Sequence, residues 1–331
     1  MDRATEAGGG RTMGGEHLSG YQARDYAVVD YYIDRDARTG LSFRGPEPSV
    51  DEGNYVACPG AAQAFGCFCD DAFPDLLAER LDVHFVNLGY GGAGPAFFLR
   101  YPQLIEFANR GRAVILQVTS GRSESNSVYD SGGLEYVTRR ADGQRMSAQQ
   151  AWAELLAAEP PPAAMPRPLA KAWRMFVGPP HARKVLAETR ANRIAHNREL
   201  MERITVPVVY LYFSRRAPAW HSTGRFAWWW QRYDRENALF GDYPQLVNQR
   251  MLDATRGAAD DYVHCHSRRG SPQPLIDRFT GQPARIDNSA DRKDLAAGTY
   301  SQNDYYPSPE MHLDAADLLE PVLRRHLGAA A

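Results

Sequence analysis

Residues 55–66 read YVACPGAAQAFG and residues 84–95 read HFVNLGYGGAGP. Each stretch is a short apolar run that ends in a small-residue, glycine-bearing turn. Tyr55–Cys58 and His84–Leu88 supply the first two runs, and Ala113–Val118 (AVILQV), Pro207–Phe213 (PVVYLYF) and Tyr262–Cys265 (YVHC) supply three more. Their β-branched and aromatic content, unbroken by polar alternation, predicts strands covered on both faces. Helical patterns fall between them, at Phe73–Leu81, Ala96–Ala108, Arg183–Ile204 and Pro309–Leu327, the last with Ser308 as N-cap and Pro309 at its first position. Strands alternating with helices predict an α/β sandwich around a parallel sheet.

The chain has 331 residues, 44% hydrophobic and 24% charged, with a formal net charge of -2. That is ordinary globular composition, and it gives no global reason to expect nucleic acid or a membrane as partner. No window reaches the roughly 18 to 20 apolar residues of a spanning helix. Residues 1–20 are polar and Gly-rich, without the apolar core of a signal peptide, and are expected to be a disordered tail, with Met13 a candidate start. Cys58, Cys67, Cys69 and Cys265 lack zinc spacing and read as reduced, mostly buried thiols. A cytoplasmic location follows by default, and no cofactor or metal is expected.

The expected organisation is one domain over 21–331 with insertions near 134–182 and 217–245. Ala157–Pro168 is Pro-rich and reads as a stiff surface connection. The second insertion gathers Trp220, Phe226, Trp228, Trp229, Trp230, Tyr233 and Tyr243. Such a run is a candidate lid, sugar-stacking platform or homo-oligomer contact.

Ligands in open α/β sheets bind outside the carboxyl ends of the strands, so the turns after the strands carry the function. The first turn keeps Gly60, Phe65 and Gly66 at the spacing of a G-D-S-x-T-x-G block, and the second keeps Asn87, Gly89 and Gly92 as N-x-G-x-x-G. In this order, over about residues 55–130 and again in the last helix, the chain resembles the SGNH (GDSL-type) hydrolases. The resemblance implies five mostly parallel strands in flavodoxin-like order within a three-layer sandwich. It also implies a site at these turns, with Gly92 offering a backbone N–H where the family builds its oxyanion hole.

The departures decide the chemistry. Ala62 stands at the nucleophilic serine and Ala61 at the aspartate before it; a methyl group cannot be acylated. The family's D-x-x-H-P window reads Asn303-Asp304-Tyr305-Tyr306-Pro307, placing Tyr306 at the base, while Asp304 is one residue out of register. Tyrosine, with a pKa near 10, is a poor general base at neutral pH. The third block, G-x-N-D in the family, is blurred into Gly121–Asn126.

A further pattern owes nothing to the family. Three strand ends carry serine followed by arginine: Ser120-Gly121-Arg122, Ser214-Arg215-Arg216 and Ser267-Arg268-Arg269. Forked guanidinium donors suit carboxylate, phosphate or sulfate, although surface ion pairs would account for them equally. Candidate ligand-binding positions are Gly60, Gly92, Ser120, Arg122, Asn126, Arg215, Arg216 and Arg268, for Asn126 against loop capping. Candidate catalytic positions are Gln63, Asp304, Tyr306 and His312, for His312 against a structural role. His264 and His266 alternate along a strand end and are read as pointing to opposite faces, which argues against a metal pair. The expected function is an enzyme acting on an anionic or glycan ligand at an Arg-lined cleft. Its alternatives are a non-catalytic pseudo-hydrolase and a sulfuryl or other group transferase.

Overall fold

The computed structural model describes residues 25, 28–29, 31–45, 53–223, 227–287 and 299–328. The expected disordered tail, Met13 and Phe226 lie outside the described residues.

All five apolar runs are strands: β1 (Tyr55–Gly60), β2 (His84–Gly89), β3 (Ala113–Gln117), β4 (Val208–Ser214) and β5 (Asp261–His266). They form one parallel sheet in the order β2-β1-β3-β4-β5, the flavodoxin-like order. The register sets Tyr55 beside His84, Val56 beside Ala113, Val114 beside Val208 and Val209 beside Asp261.

The main helices, in chain order, are α1 (Ala62–Phe65), α2 (Phe73–Leu81), α3 (Pro95–Leu99), α4 (Pro102–Arg110), α5 (Ala148–Ala158), α6 (Pro180–Arg203), α7 (Glu236–Phe240), α8 (Gln249–Thr255) and α9 (Pro309–Leu327). The helix expected over Ala96–Ala108 is two, because Pro102 has no N–H to continue the first and starts the second. Ser308 caps α9 as its sequence requires, its hydroxyl accepting the Met311 N–H.

Side chains alternate across the sheet, so each strand feeds two cores. Val56, Cys58, Ile115, Leu211 and Val263 pack against α2 and α9 through Phe73, Leu77, Met311, Leu319 and Leu323. Tyr55, Ala57, Leu88, Leu116 and Tyr210 face Phe97, Phe107, Leu200, Met201 and Leu252 on α3, α4, α6 and α8. Each buried Val, Leu, Ile, Phe or Met among them contributes roughly 1.5–3 kcal/mol. A third cluster joins Tyr129 and Val137 to Trp152 on α5, Val185 on α6 and Phe240 on α7. The two insertions therefore pack on one another.

Candidate functional site

A cavity of about 800 Å³ opens at the carboxyl edge of the sheet, and the segment after every strand contributes to its wall. Ala61, Ala62 and Gln63 follow β1, Gly92 and Ala93 follow β2, and Ser120, Arg122 and Ser123 follow β3. Arg215 follows β4 and Arg268 follows β5. Chain order reverses between β1 and β3, so their ends diverge and leave room there. The far wall comes from Trp228, Tyr243, Gln245, Asp304, Tyr305 and Tyr306.

The turn after β1 is held from below. Gln117 Oε1 accepts the Ala61 N–H at 2.9 Å, and its amide donates to the Tyr243 hydroxyl at 3.2 Å. Arg44, buried and not singled out by the sequence, donates to the carbonyls of Phe65, Gly66 and Cys69 at 3.0–3.1 Å. Gly60 has no room for a side chain and lies behind the cavity wall: an added Cβ would sit 2.5 Å from Ala64 Cβ and 2.6 Å from Gln117 Oε1.

The Ser/Arg recurrence has a local cause. Each serine hydroxyl accepts the backbone N–H two residues on: Ser120 from Arg122 at 3.2 Å, Ser214 from Arg216 at 3.0 Å, Ser267 from Arg269 at 3.2 Å. These serine turns end three strands alike, and the arginines then part ways. Arg122 pairs with Glu135 at 2.5 Å inside the cavity. Burial favours its neutral form, but the field of Tyr305, Glu135, Tyr306 and Tyr243 outweighs that and holds its pKa above the ordinary arginine value. Arg215 shifts the other way, lowered by burial and then by the Arg268 charge, against Asp304 and Asp242. Arg216 turns away from the cavity and donates to the carbonyls of Trp220, Asp242, Pro244 and Val247 at 2.7–3.0 Å, which pins the second insertion. Arg269 pairs with Asp314 on α9.

Of the expected site residues, the cavity brings together Gln63, Gly92, Ser120, Arg122, Arg215, Arg268, Asp304 and Tyr306. It does not include Gly60, Asn126, Arg216 or His312. Asn126 caps a loop, its Oδ1 accepting the N–H groups of Val128 and Tyr129 at 3.0 and 2.9 Å. His312 is fully buried beside Phe73 and Phe213, its Nδ1 accepting the Phe73 N–H at 3.1 Å. Burial, helped by the Arg44 charge, pushes its pKa down to about 3, so it is neutral near pH 7. Asn303 organises the Tyr305–Tyr306 turn, its Oδ1 accepting both backbone N–H groups.

Sequence reasoning passed over Gln245 and Glu135, whose roles depend on contacts with Tyr305 and Arg122 made across the fold. It also misplaced His264 and His266: residues two apart on a strand share a face, and both are exposed, their rings stacked at 6.4 Å. Among the described residues, no group of three or more His, Cys, Asp or Glu side chains is placed to hold a metal. The four cysteines are buried and unpaired, and burial pushes the Cys69 thiol up to about 12. No helix is long and apolar enough to cross a membrane, among the described residues.

Five side chains in the wall hold a buried polar atom with no protein partner: Gln63 Oε1, Gln245 Oε1, Arg122 Nε, Arg215 Nε and Trp228 Nε1. A buried polar atom left unmatched costs about 1–3 kcal/mol.

Residues 20–131, which carry β1, β2 and β3 with the turns after them, match a family described as a domain of unknown function (DUF6473). Among solved structures, the chain is similar to a Corynascus thermopiles (Myceliophthora fergusii) carbohydrate esterase family 2 enzyme plus carbohydrate binding domain. Identity is 12% and the TM-score 0.35, over 88% of this chain and 70% of that one. At that score the likeness adds nothing to the description above. No curated sequence matches the chain.

Proposed function

We propose that this protein binds an anionic, hydroxyl-rich small molecule, of the class of sugar carboxylates, phosphates or sulfates, in the cavity at the carboxyl edge of its sheet. The convergence of Gln63, Arg122, Arg215, Trp228 and Gln245 on one cavity carries the reading. Amide oxygens accept from ligand hydroxyls, and guanidinium and indole N–H groups donate to ligand oxygens. Arg215 and Arg268 line the cavity together, and the Arg215 pKa is lowered by burial and then by the Arg268 charge, so an anion there would meet two guanidinium groups. Trp228, Tyr305 and Tyr306 offer flat apolar faces for a ring. On this reading residues 21–331 act as one unit, with the two insertions closing the far side.

Ester hydrolysis through a serine and a histidine is not the proposed activity, since Ala62 and Tyr306 occupy those places. A second reading, turnover of the bound anion by group transfer, rests on Arg122, Arg215 and Arg268 in the cavity wall, whose guanidinium groups would stabilise charge on a transferring group. The test is thermal stability against sulfate, phosphate, nucleotide sugars and uronic-acid oligosaccharides. A ligand at ~100 times its dissociation constant adds roughly 2.7 kcal/mol. Unchanged affinity in Arg122→Ala, Arg215→Ala and Arg268→Ala alike would overturn the proposal.

A further inference from the structure

Residues 160–187 contain Arg167, Lys171, Arg174, Arg183 and Lys184 and neither aspartate nor glutamate. Within them, the helix Arg167–Ala172 runs into a π-wound turn, Trp173–Val177, and none of these residues is buried. Helical positions four and seven apart share a face. Leu169 and Trp173 therefore lie on one side of the helix, and Arg167 and Lys171 on the other, with Arg174 and Phe176 following in the π-wound turn. Trp173 is half-buried, while Leu169 is 59% and Phe176 56% exposed.

The arm sits beside a second apolar group. The Tyr233 N–H donates to the Met175 carbonyl at 3.0 Å, and the Tyr233 ring lies against Gly178. A few residues upstream of Tyr233, Trp229 and Trp230 are 69% and 41% exposed, their rings edge to face at 5.8 Å.

We propose that the Arg167–Val177 arm and the Trp229–Trp230 pair dock this protein onto an anionic lipid bilayer, lying in its interface without crossing it. A helix with one basic and one aromatic–aliphatic face suits the boundary between headgroups and acyl chains, and tryptophan favours that depth. The local charge selects anionic lipid. A net charge of -2 describes the whole chain and hides this stretch, which is why composition alone argued against a membrane. A second copy is the poorer occupant: a two-fold contact sets this arm against itself, and residues 160–187 hold no aspartate or glutamate to meet Arg167, Lys171 and Arg174. Trp228, next to the exposed pair, lines the cavity, so docking would set the cavity close to the membrane plane.

The experiment is flotation of the full chain with vesicles of pure phosphatidylcholine and of phosphatidylcholine with phosphatidylglycerol, at low and high salt. Binding to the anionic vesicles alone, weakened by salt, is expected. Lys171→Glu with Arg174→Glu should lower partitioning at least ~10-fold, and Phe176→Ser with Trp229→Ser should abolish it, with melting temperatures unchanged. Absence of vesicle binding, or equal binding by all variants, overturns the proposal. A concentration-dependent dimer that these variants dissociate overturns it in favour of self-association.

Discussion

The side-chain carbonyl of Gln117, the last residue of β3, accepts the backbone N–H of Ala61 at 2.9 Å and so ties the end of one strand to the turn that follows its neighbour. Gly60 is confined by the same oxygen, 2.6 Å from where a Cβ would stand. Gln117→Leu leaves the Ala61 N–H buried without an acceptor and should cost about 1–3 kcal/mol. Gly60→Ala overpacks the site and should cost a similar ~1–3 kcal/mol. Urea unfolding measures both, and a loss under ~0.5 kcal/mol in either would show that the turn is not held this way.

Adjacent arginines should respond in opposite ways. Arg216→Ala strips four carbonyls of their shared donor and is expected to lose at least about 3 kcal/mol of stability. Arg215→Ala relieves repulsion with Arg268 and should leave stability within about 0.5 kcal/mol, while weakening anion binding. Chemical denaturation paired with titration calorimetry separates the two, and a destabilised Arg215→Ala would contradict the assignment.

Acid should unfold the protein through its buried histidines. His312 is held down to about 3 by burial and then the Arg44 charge, and His221 to about 4 by burial and then the Arg216 charge. The ordinary histidine value is near 6.5, so below it the unfolded chain takes up protons that the folded chain refuses. Their contribution is complete above pH ~6.5 and is lost as pH falls toward 4 and below, by up to ~1.4 kcal/mol per unit for each histidine. His312→Asn should flatten the curve of stability against pH; an unchanged slope would mean that His312 is protonated in the fold.

A serine placed at Ala62 should not by itself give hydrolysis. Ala62 and Tyr306 both line the cavity, and His312 is walled off behind Phe73 and Phe213. Ala62→Ser is expected to release no p-nitrophenol from p-nitrophenyl acetate above the parent's background, because no imidazole is at hand to take the serine proton. Burst kinetics checks this, and a burst in the single variant would reveal a base in the wall other than histidine.

The strands and both long helices were legible because their signals are local. An apolar run of β-branched and aromatic residues states its own burial, and Ser308-Pro309 states where α9 begins. The edge that carries the cavity followed from parallel order. The serine turns were half legible: the pattern was visible, but its cause is a hydroxyl accepting a backbone N–H, and that says nothing about where the arginine goes. Asn303 likewise stood out by its position, and its side chain serves a turn.

By itself, the sequence determined the strands, the helices and the turns that follow the strands, since periodicity and residue chemistry act within a few positions. Only the tertiary structure decided that Arg122 meets Glu135, that Arg216 is a backbone staple while Arg215 lines the cavity, and that His312 is sealed in the core. Those outcomes depend on partners far away along the chain, brought close by strand order and by the packing of two insertions on each other. Neighbouring residues of one type carry no mark of which distant partner each will meet.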